Sequence, residues 1–378
     1  HNSMIIKINK KMRNTATLRV LFITRKWPTA VGGMETYSYE LTQVLKDELK
    51  LEILSLAGKK DGGPPSLFSM LLFLVKSAWF VLRHGRRFDV IHIGDFVLAP
   101  LGLISKLFAR QTNVVIMIHG LDILFGNRPG ILAGIYGVYQ YLISRLPIAD
   151  EFIVNSENTG EICKQKKLTP VTIIPLGVNT TLPAINTNEH QYKILFLGRL
   201  VTRKGARWFA ENVLPLLDKK FEFVVVGKTW DKSEQEGLEG CEQVNIVGYA
   251  SDVLVAELKS QTCVAVMPNQ PSENQTDVEG FGLVAAELSV QGIPLIASNL
   301  EGLTSAVMDG ETGFLLPHND IDTWVAKINA IASWDEEHRN QYSQQCRTSA
   351  VAYYNWQRVA EDTIGVYQKL LTSRRENA

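Results

Sequence analysis

At 378 residues the chain is longer than one ordinary hydrophobic core and predicts two domains. Its 46% apolar and 21% charged residues are those of a globular protein, which excludes a disordered or fibrous chain, and its four scattered cysteines contain no CxxC pair, which argues against a disulfide framework and fits a reducing compartment. The net charge of zero hides a split, since residues 1–185 carry 22 Lys and Arg against 13 Asp and Glu and residues 186–378 carry 17 against 26; without basic–aromatic interleaving, the basic half points to an anionic membrane surface and not to nucleic acid.

His1-Asn2-Ser3 ahead of Met4 reads as an artificial extension, and residues 1–17 as a tail outside the fold. No secretory leader is read there, so a cytoplasmic location is expected. Residues 18–24 are a short apolar, β-rich run and predict a buried strand. The loop after it ends in Gly32-Gly33, and a helix is expected over 34–50. Strand, glycine loop and helix is the arrangement that delivers phosphate to a helix N-terminus. Gly32 and Gly33 are therefore ligand candidates, although the pair is not the GxGxxG of nicotinamide sites. A second strand is expected over 51–56.

Residues 67–82 are almost wholly apolar and are followed by Arg83, His84, Arg86 and Arg87. Ser69, Lys76 and Arg83 recur at seven-residue spacing and leave a narrow polar stripe on a helix. The run reads as too short and too interrupted to span a bilayer, which needs about 20 apolar residues. Two readings stay open: a helix lying in the membrane interface with its arginines at lipid phosphates, or a core helix of an α/β sheet. The same choice attaches to residues 131–146. A strand over 89–93 and another within the run 114–122 carry Asp95, His119 and Asp122 to the carboxyl edge of a sheet, where α/β proteins place ligands. His119 is a site candidate, and Asp95 and Asp122 are candidates for the acceptor side. A further strand is expected within 151–159, ending in hydroxyl and amide residues, with Ser156 capping the next helix, and the last strand of this half with its turn over 171–179.

Residues 180–191 read as a polar linker, placing the domain boundary at 183/184. The strand–loop–helix plan then restarts. A strand over 192–197 leads into a basic loop with Gly198, Arg199, Lys204 and Gly205, and a helix over 206–217. Arg199 and Lys204 suit a diphosphate. Strands over 221–227 and 244–248 follow, the second ending beside Tyr249, a wall for a base or ribose. A strand over 263–268 leads through a polar stretch to Glu279-Gly-Phe-Gly-Leu-Val-Ala-Ala-Glu287. Gly280 and Gly282 allow close approach to the backbone, and a helix starting near Gly282 offers free N–H groups to an anion and puts Glu287 on one of its faces. Two carboxylates flanking an anion site suit a sugar joined to a nucleoside through a diphosphate. Strands over 294–298 and 313–317 and helices over 322–332, 336–354 and 356–371 complete the chain. Two runs of alternating β and α imply two doubly wound α/β domains with the ligand cleft between them.

This pattern resembles the family 4 glycosyltransferases of the GT-B fold. The resemblance rests on Gly32-Gly33, His119-Gly120-Leu121-Asp122, Pro175-Leu-Gly-Val-Asn179, Gly198-Arg199-Leu200 with Lys204-Gly205, and Glu279 to Glu287. It implies two facing Rossmann-like domains: an acceptor-side domain over 18–183, a donor domain over 184–355, and a final helix over 356–378 that crosses back. It also implies retaining, metal-independent transfer of a hexosyl group, without a cofactor, from a UDP- or GDP-sugar to an acceptor hydroxyl. In that reading Arg199 and Lys204 neutralise the leaving diphosphate, and the N–H groups near Phe281, Gly282 and Leu283 clamp it. Glu287 binds the ribose, Glu279 orients the sugar, His119 faces it, and Gly33 closes over the phosphates. The expected setting is polysaccharide or lipopolysaccharide assembly on a lipid-linked acceptor at the inner face of a membrane. Two alternatives are a non-catalytic nucleotide-sugar-binding protein and a soluble small-molecule glycosyltransferase. Two features depart from the pattern: the polar stretch 269–278, and Glu301-Gly302 where Gly-Gly is usual.

Overall fold

A computed structural model describes residues 17–185, 192–272 and 277–376. Most of the expected tail, residues 186–191 of the expected linker, residues 273–276 of the polar stretch and the last two residues of the expected final helix lie outside the described residues. The strands are β1 (Arg19–Trp27), β2 (Lys50–Ala57), β3 (Val90–Ile93), β4 (Asn113–Ile118), β5 (Glu151–Val154), β6 (Val171–Ile173), β7 (Lys193–Leu197), β8 (Glu222–Val226), β9 (Val244–Gly248), β10 (Thr262–Met267), β11 (Leu295–Ser298) and β12 (Phe314–Leu316). They form two six-stranded sheets, ordered β2-β1-β3-β4-β5-β6 and β12-β11-β10-β7-β8-β9. Every pairing between these strands is parallel. The strands β4 and β10, rich in Val and Ala or Ile, are buried along their whole length, as a sheet covered on both faces requires.

One compact unit runs to Leu176 and resumes at Trp356; the other is Gly177–Asn355. The boundary falls earlier than the 183/184 expected from composition. Residues 177–185 are bonded into the second unit: Val178 N–H donates to Tyr354 O at 3.0 Å, Ile185 N–H to Gln291 O at 2.9 Å, and Arg347 Nη1 to Leu182 O at 2.8 Å. Polar composition marked a strap, not a free linker.

In the first unit, the steps β2 to β3, β3 to β4 and β4 to β5 all advance in one direction across the sheet. Right-handed crossovers therefore place the helices Leu67–His84, Pro100–Phe108 and Ile131–Ile143 on one face and Gly33–Glu48 on the other. The final helix, Trp356–Glu376, packs on Gly33–Glu48, with Trp356 and Tyr37 rings 6.4 Å apart. His92 of β3 ties both helices to the sheet through Tyr37 Oη at 3.2 Å and Tyr367 Oη at 2.6 Å.

The core-helix reading of residues 67–82 is overturned. Within Leu67–His84 only Ser77 and Val81 are buried, because the helix rests along one narrow stripe on Pro100–Phe108, β1 and β2. Leu71, Leu72, Val75 and Trp79 are exposed, Trp79 by 64%. By length and composition Leu67–Arg87 suffices to cross a bilayer, contrary to expectation, yet it lies packed against the unit along that stripe.

The second unit is built on β7, β8 and β10, with Phe209 wedged between Phe223 and Trp324 at ring distances of 4.7 and 6.1 Å. The helix expected over 206–217 stops at Asn212. Pro215 supplies no N–H to continue it, and a 3-10 turn, Leu214–Leu216, takes over. Ser156 caps its helix as expected, accepting from Thr159 N–H at 3.2 Å.

Candidate active site

In the second sheet the chain leaves β7 toward β8 and leaves β10 toward β11, in opposite directions. The crevice beyond the carboxyl ends of these two neighbours is a topological switch point, where open α/β sheets bind ligands. The loop after β7 is held tightly there. Gly205 has φ of 71°, and a Cβ on it would stand 1.8 Å from Pro268 O, just beyond β10. Only glycine fits, and the fit turns the preceding 3-10 turn, Thr202–Lys204, toward Glu279.

Arg203 and Lys204 both end on Glu279. Arg203 Nη1 and Asn269 Nδ2 donate to Glu279 Oε2 at 3.1 and 3.3 Å, and Lys204 Nζ donates to the same oxygen. Arg203 Nε also pairs with Asp277 Oδ2 at 3.0 Å. Both cations are buried, Arg203 to 7% exposure and Lys204 to 9%. Burial pushes the Glu279 carboxyl up, but Lys204 and Arg203 outweigh it and hold the carboxyl at about 2. It is a carboxylate at neutral pH and cannot serve as a general acid. Burial also pulls the Lys204 ammonium below its ordinary value, with Glu279 opposing.

The Glu279–Glu287 segment folds as a turn and a helix. Gly282 has φ of 99°, and the helix Leu283–Val290 starts directly after it. Gly280 lies in close contact with Gly302, where an added Cβ would stand 2.4 Å from Gly280 C. The Phe281 ring is buried, edge-on to Tyr354 at 6.1 Å, so this residue offers a ligand its backbone and not its ring. Leu283 supplies the first helical N–H. Glu287 sits half-buried on the helix; burial raises its carboxyl, and Lys259 partly offsets this. Gly198 closes β7, its N–H donating to Val226 O at 2.9 Å. Arg199 does not join Lys204 on Glu279: it is exposed and stacks on Trp230 at 4.9 Å. Tyr249 follows β9 and is 88% exposed.

In the first sheet the switch point lies between β1 and β3. Arg25, from the end of β1, donates to Asp95 Oδ1, just after β3, at 3.0 Å. Lys26 pairs with Glu35 at 3.2 Å, at the start of the helix Gly33–Glu48. Gly32 precedes that helix with extended backbone, and an added Cβ would stand 2.6 Å from the Glu35 carboxylate. His119 donates from Nε2 to Gly94 O at 3.0 Å, which leaves Nδ1 as the acceptor. Burial lowers its pKa, with Asp122 opposing, so the ring is neutral. Asp122 accepts from the N–H groups of His119 at 3.0 Å and Phe96 at 3.2 Å. The two acceptor-side candidates, Asp95 and Asp122, are both buried and brace the loops after β3 and β4. Sequence reasoning missed Arg25, Lys26, Glu35 and Arg203. Arg203 could have been found from its position beside Lys204 in the same loop.

The pattern described as Glycosyltransferase Family 4 matches residues 31–182, and that described as Glycosyl transferases group 1 matches residues 191–333. The chain belongs to the family 4 glycosyltransferases. As a glycosyltransferase of this family it shares features with several known proteins. A UDP-Gal:alpha-D-GlcNAc-diphosphoundecaprenol alpha-1,3-galactosyltransferase from Escherichia coli is 26% identical over 301 residues, 73% of this chain and 74% of its own length. Among solved structures, a sucrose-phosphate synthase from Thermosynechococcus elongatus superposes with a TM-score of 0.68 at 20% identity, covering 94% of this chain and all of that one. Anabaena HepE in complex with UDP and glucose gives 0.65 at 17% identity, covering 93% of this chain and all of that one. The fold is GT-B, as the resemblance implied. The family's reaction draws on a nucleotide-sugar donor.

Proposed function

We propose that this glycosyltransferase moves a hexosyl group, with retention and without a metal ion, from a UDP- or GDP-sugar to a lipid-linked acceptor. The single observation that carries this reading is the Arg203–Lys204–Glu279 cluster at the switch point of the second sheet. In the proposed complex the two remaining N–H donors of Lys204, joined by Arg199 swung from Trp230, neutralise the diphosphate as it leaves. The first N–H groups of Leu283–Val290 complete the clamp. Fixed donors of this kind are each worth about 3–4 kcal/mol in the transition state. Glu279 presents Oε1 to a donor hydroxyl, and Glu287 takes the ribose. Two cations on Glu279 depress its nucleophilicity. This favours same-face attack in which the leaving phosphate oxygen takes the acceptor proton.

The acceptor proposal draws on the first unit. Its apolar helices share one face, and Phe68, Leu71, Trp79, Leu107, Phe108, Ile131 and Ile135 are exposed on them. Arg86, Arg87 and Arg110 are exposed alongside. An apolar surface of this size edged by arginine suits the interface of an anionic bilayer. The E. coli relative is named for a lipid-diphosphate acceptor, and we carry that acceptor class over, with polysaccharide or lipopolysaccharide assembly at a cytoplasmic membrane face as the setting.

The test is nucleotide release from UDP-galactose, UDP-glucose, GDP-mannose and ADP-glucose with a short-chain lipid-diphosphate GlcNAc acceptor, with and without EDTA. The expected result is turnover of one donor, an α-linked product from an α-linked donor, and no loss with EDTA. An inverted product overturns retention, and tight donor binding without turnover moves the protein to the non-catalytic alternative.

A further inference from the structure

Glu279 is gripped by its backbone as well as by its side chain. Its N–H donates to Glu301 Oε2 at 2.6 Å, and its C=O accepts from Gly302 N–H at 2.9 Å. Two consecutive residues thus take both main-chain polar groups of Glu279. The approach is as close as backbone allows, because a Cβ at position 302 would meet Gly280 C at 2.4 Å. Glu301 itself has φ of 51°, a left-handed conformation in which a residue with a Cβ is disfavoured and glycine is not. Backbone strain of this kind persists where surrounding structure demands it, and it concentrates at functional sites. A glycine would relieve the strain but remove the carboxylate.

We propose that Glu301 is a positioning residue for the donor site, its carboxylate clasping the Glu279 main chain so that the Glu279 side chain meets the donor sugar at a fixed angle. This rests on the reading of Glu279 as the residue that orients the donor. The groups facing Glu301 are Arg203, Asp277 and Glu279. Burial raises its carboxyl to about 7, the Glu279 N–H and Arg203 opposing and the Glu279 and Asp277 charges adding to the rise. The clasp is strongest when Glu301 is ionised, since a charged acceptor makes the stronger hydrogen bond.

Three full-length variants test it: E301G, E301Q and E279Q. In E301G the melting temperature stays level or rises, while hydrogen exchange of the Glu279 amide speeds at least 10-fold. Turnover of the best donor from the panel above also falls at least 10-fold in this variant. E301Q keeps an acceptor oxygen, so its amide protection and turnover stay within about threefold of the parent. The parent's kcat/KM rises with pH through about 7, and that inflection is absent in E301Q. An E301G protein with unchanged amide protection and parental turnover overturns the proposal. If E279Q turns over at the parental rate, the reading of Glu279 fails, and the exchange data still report on the clasp by themselves.

Discussion

Arg203 donates from Nη1 to Oε2 of Glu279 at 3.1 Å, joining the loop after β7 to the loop after β10. The same guanidinium pairs through Nε with Asp277 at 3.0 Å. Removing one partner of a buried ion pair leaves the other charge uncompensated, at a cost of about 3–5 kcal/mol. R203M should therefore lower the unfolding free energy from urea titration, by less than that amount because Lys204 stays on Glu279, and cut turnover. R203K, a point charge in place of a fork, should restore part of each. Parental stability in R203M would show that the pair is not structural.

Lys204 and Glu287 should separate in kinetics. Lys204 meets charge that develops on the leaving group, so K204A should lower kcat by two to three orders of magnitude. Glu287 is proposed to meet only the ribose, so E287A should raise donor KM about 10-fold with little change in kcat. Near-full rate in K204A would remove the diphosphate assignment.

The pH dependence of stability carries two opposed windows. Glu279 is depressed from 4.5 to about 2 in the fold, so its contribution is present above 4.5 and is lost as pH falls toward 2. Glu301 is raised from 4.5 to about 7, so the folded state holds a proton that the unfolded chain has released, and stability falls as pH rises from 4.5 through 7. Thermal melts from pH 3 to 8 should show the upper slope flattened in E301Q and the lower slope flattened in E279Q. Parallel profiles in all three proteins would exclude both assignments.

The apolar face of the first unit should bind anionic vesicles at low salt. Replacing Leu72 and Trp79 together by Glu removes two exposed apolar side chains without touching the core, and should reduce co-sedimentation with phosphatidylglycerol vesicles at least 10-fold. Donor turnover on a water-soluble acceptor should be unchanged. Absence of binding by the parent protein at low salt would sink the membrane proposal.

The strands were legible because each of them is a short apolar run closed by glycine or a polar turn. Lys204 and Glu279 were legible because glycines fix the loops that carry them. The exposure of helix Leu67–His84 was not, since an apolar helix reads alike whether or not a sheet covers it. Arg203 was passed over in favour of Arg199. Sequence shows that both are basic and close to Lys204, but only three-dimensional packing shows that Arg199 lies on Trp230 and Arg203 on Glu279. Glu301 stood out as a departure from Gly-Gly, and its left-handed backbone keeps the geometry of a glycine under a charged side chain.

The strap at 177–185 has a practical consequence for exchanging parts between enzymes of this family. A cassette cut at 183/184 would leave behind Leu182, whose carbonyl accepts from Arg347, and Val178, whose N–H bonds Tyr354. Cutting after Leu176 and after Asn355 carries every one of these bonds within the transplanted piece. A chimera built on those joints inherits its donor-side frame whole, so a change in its sugar preference can be traced to the cassette and not to a frayed seam.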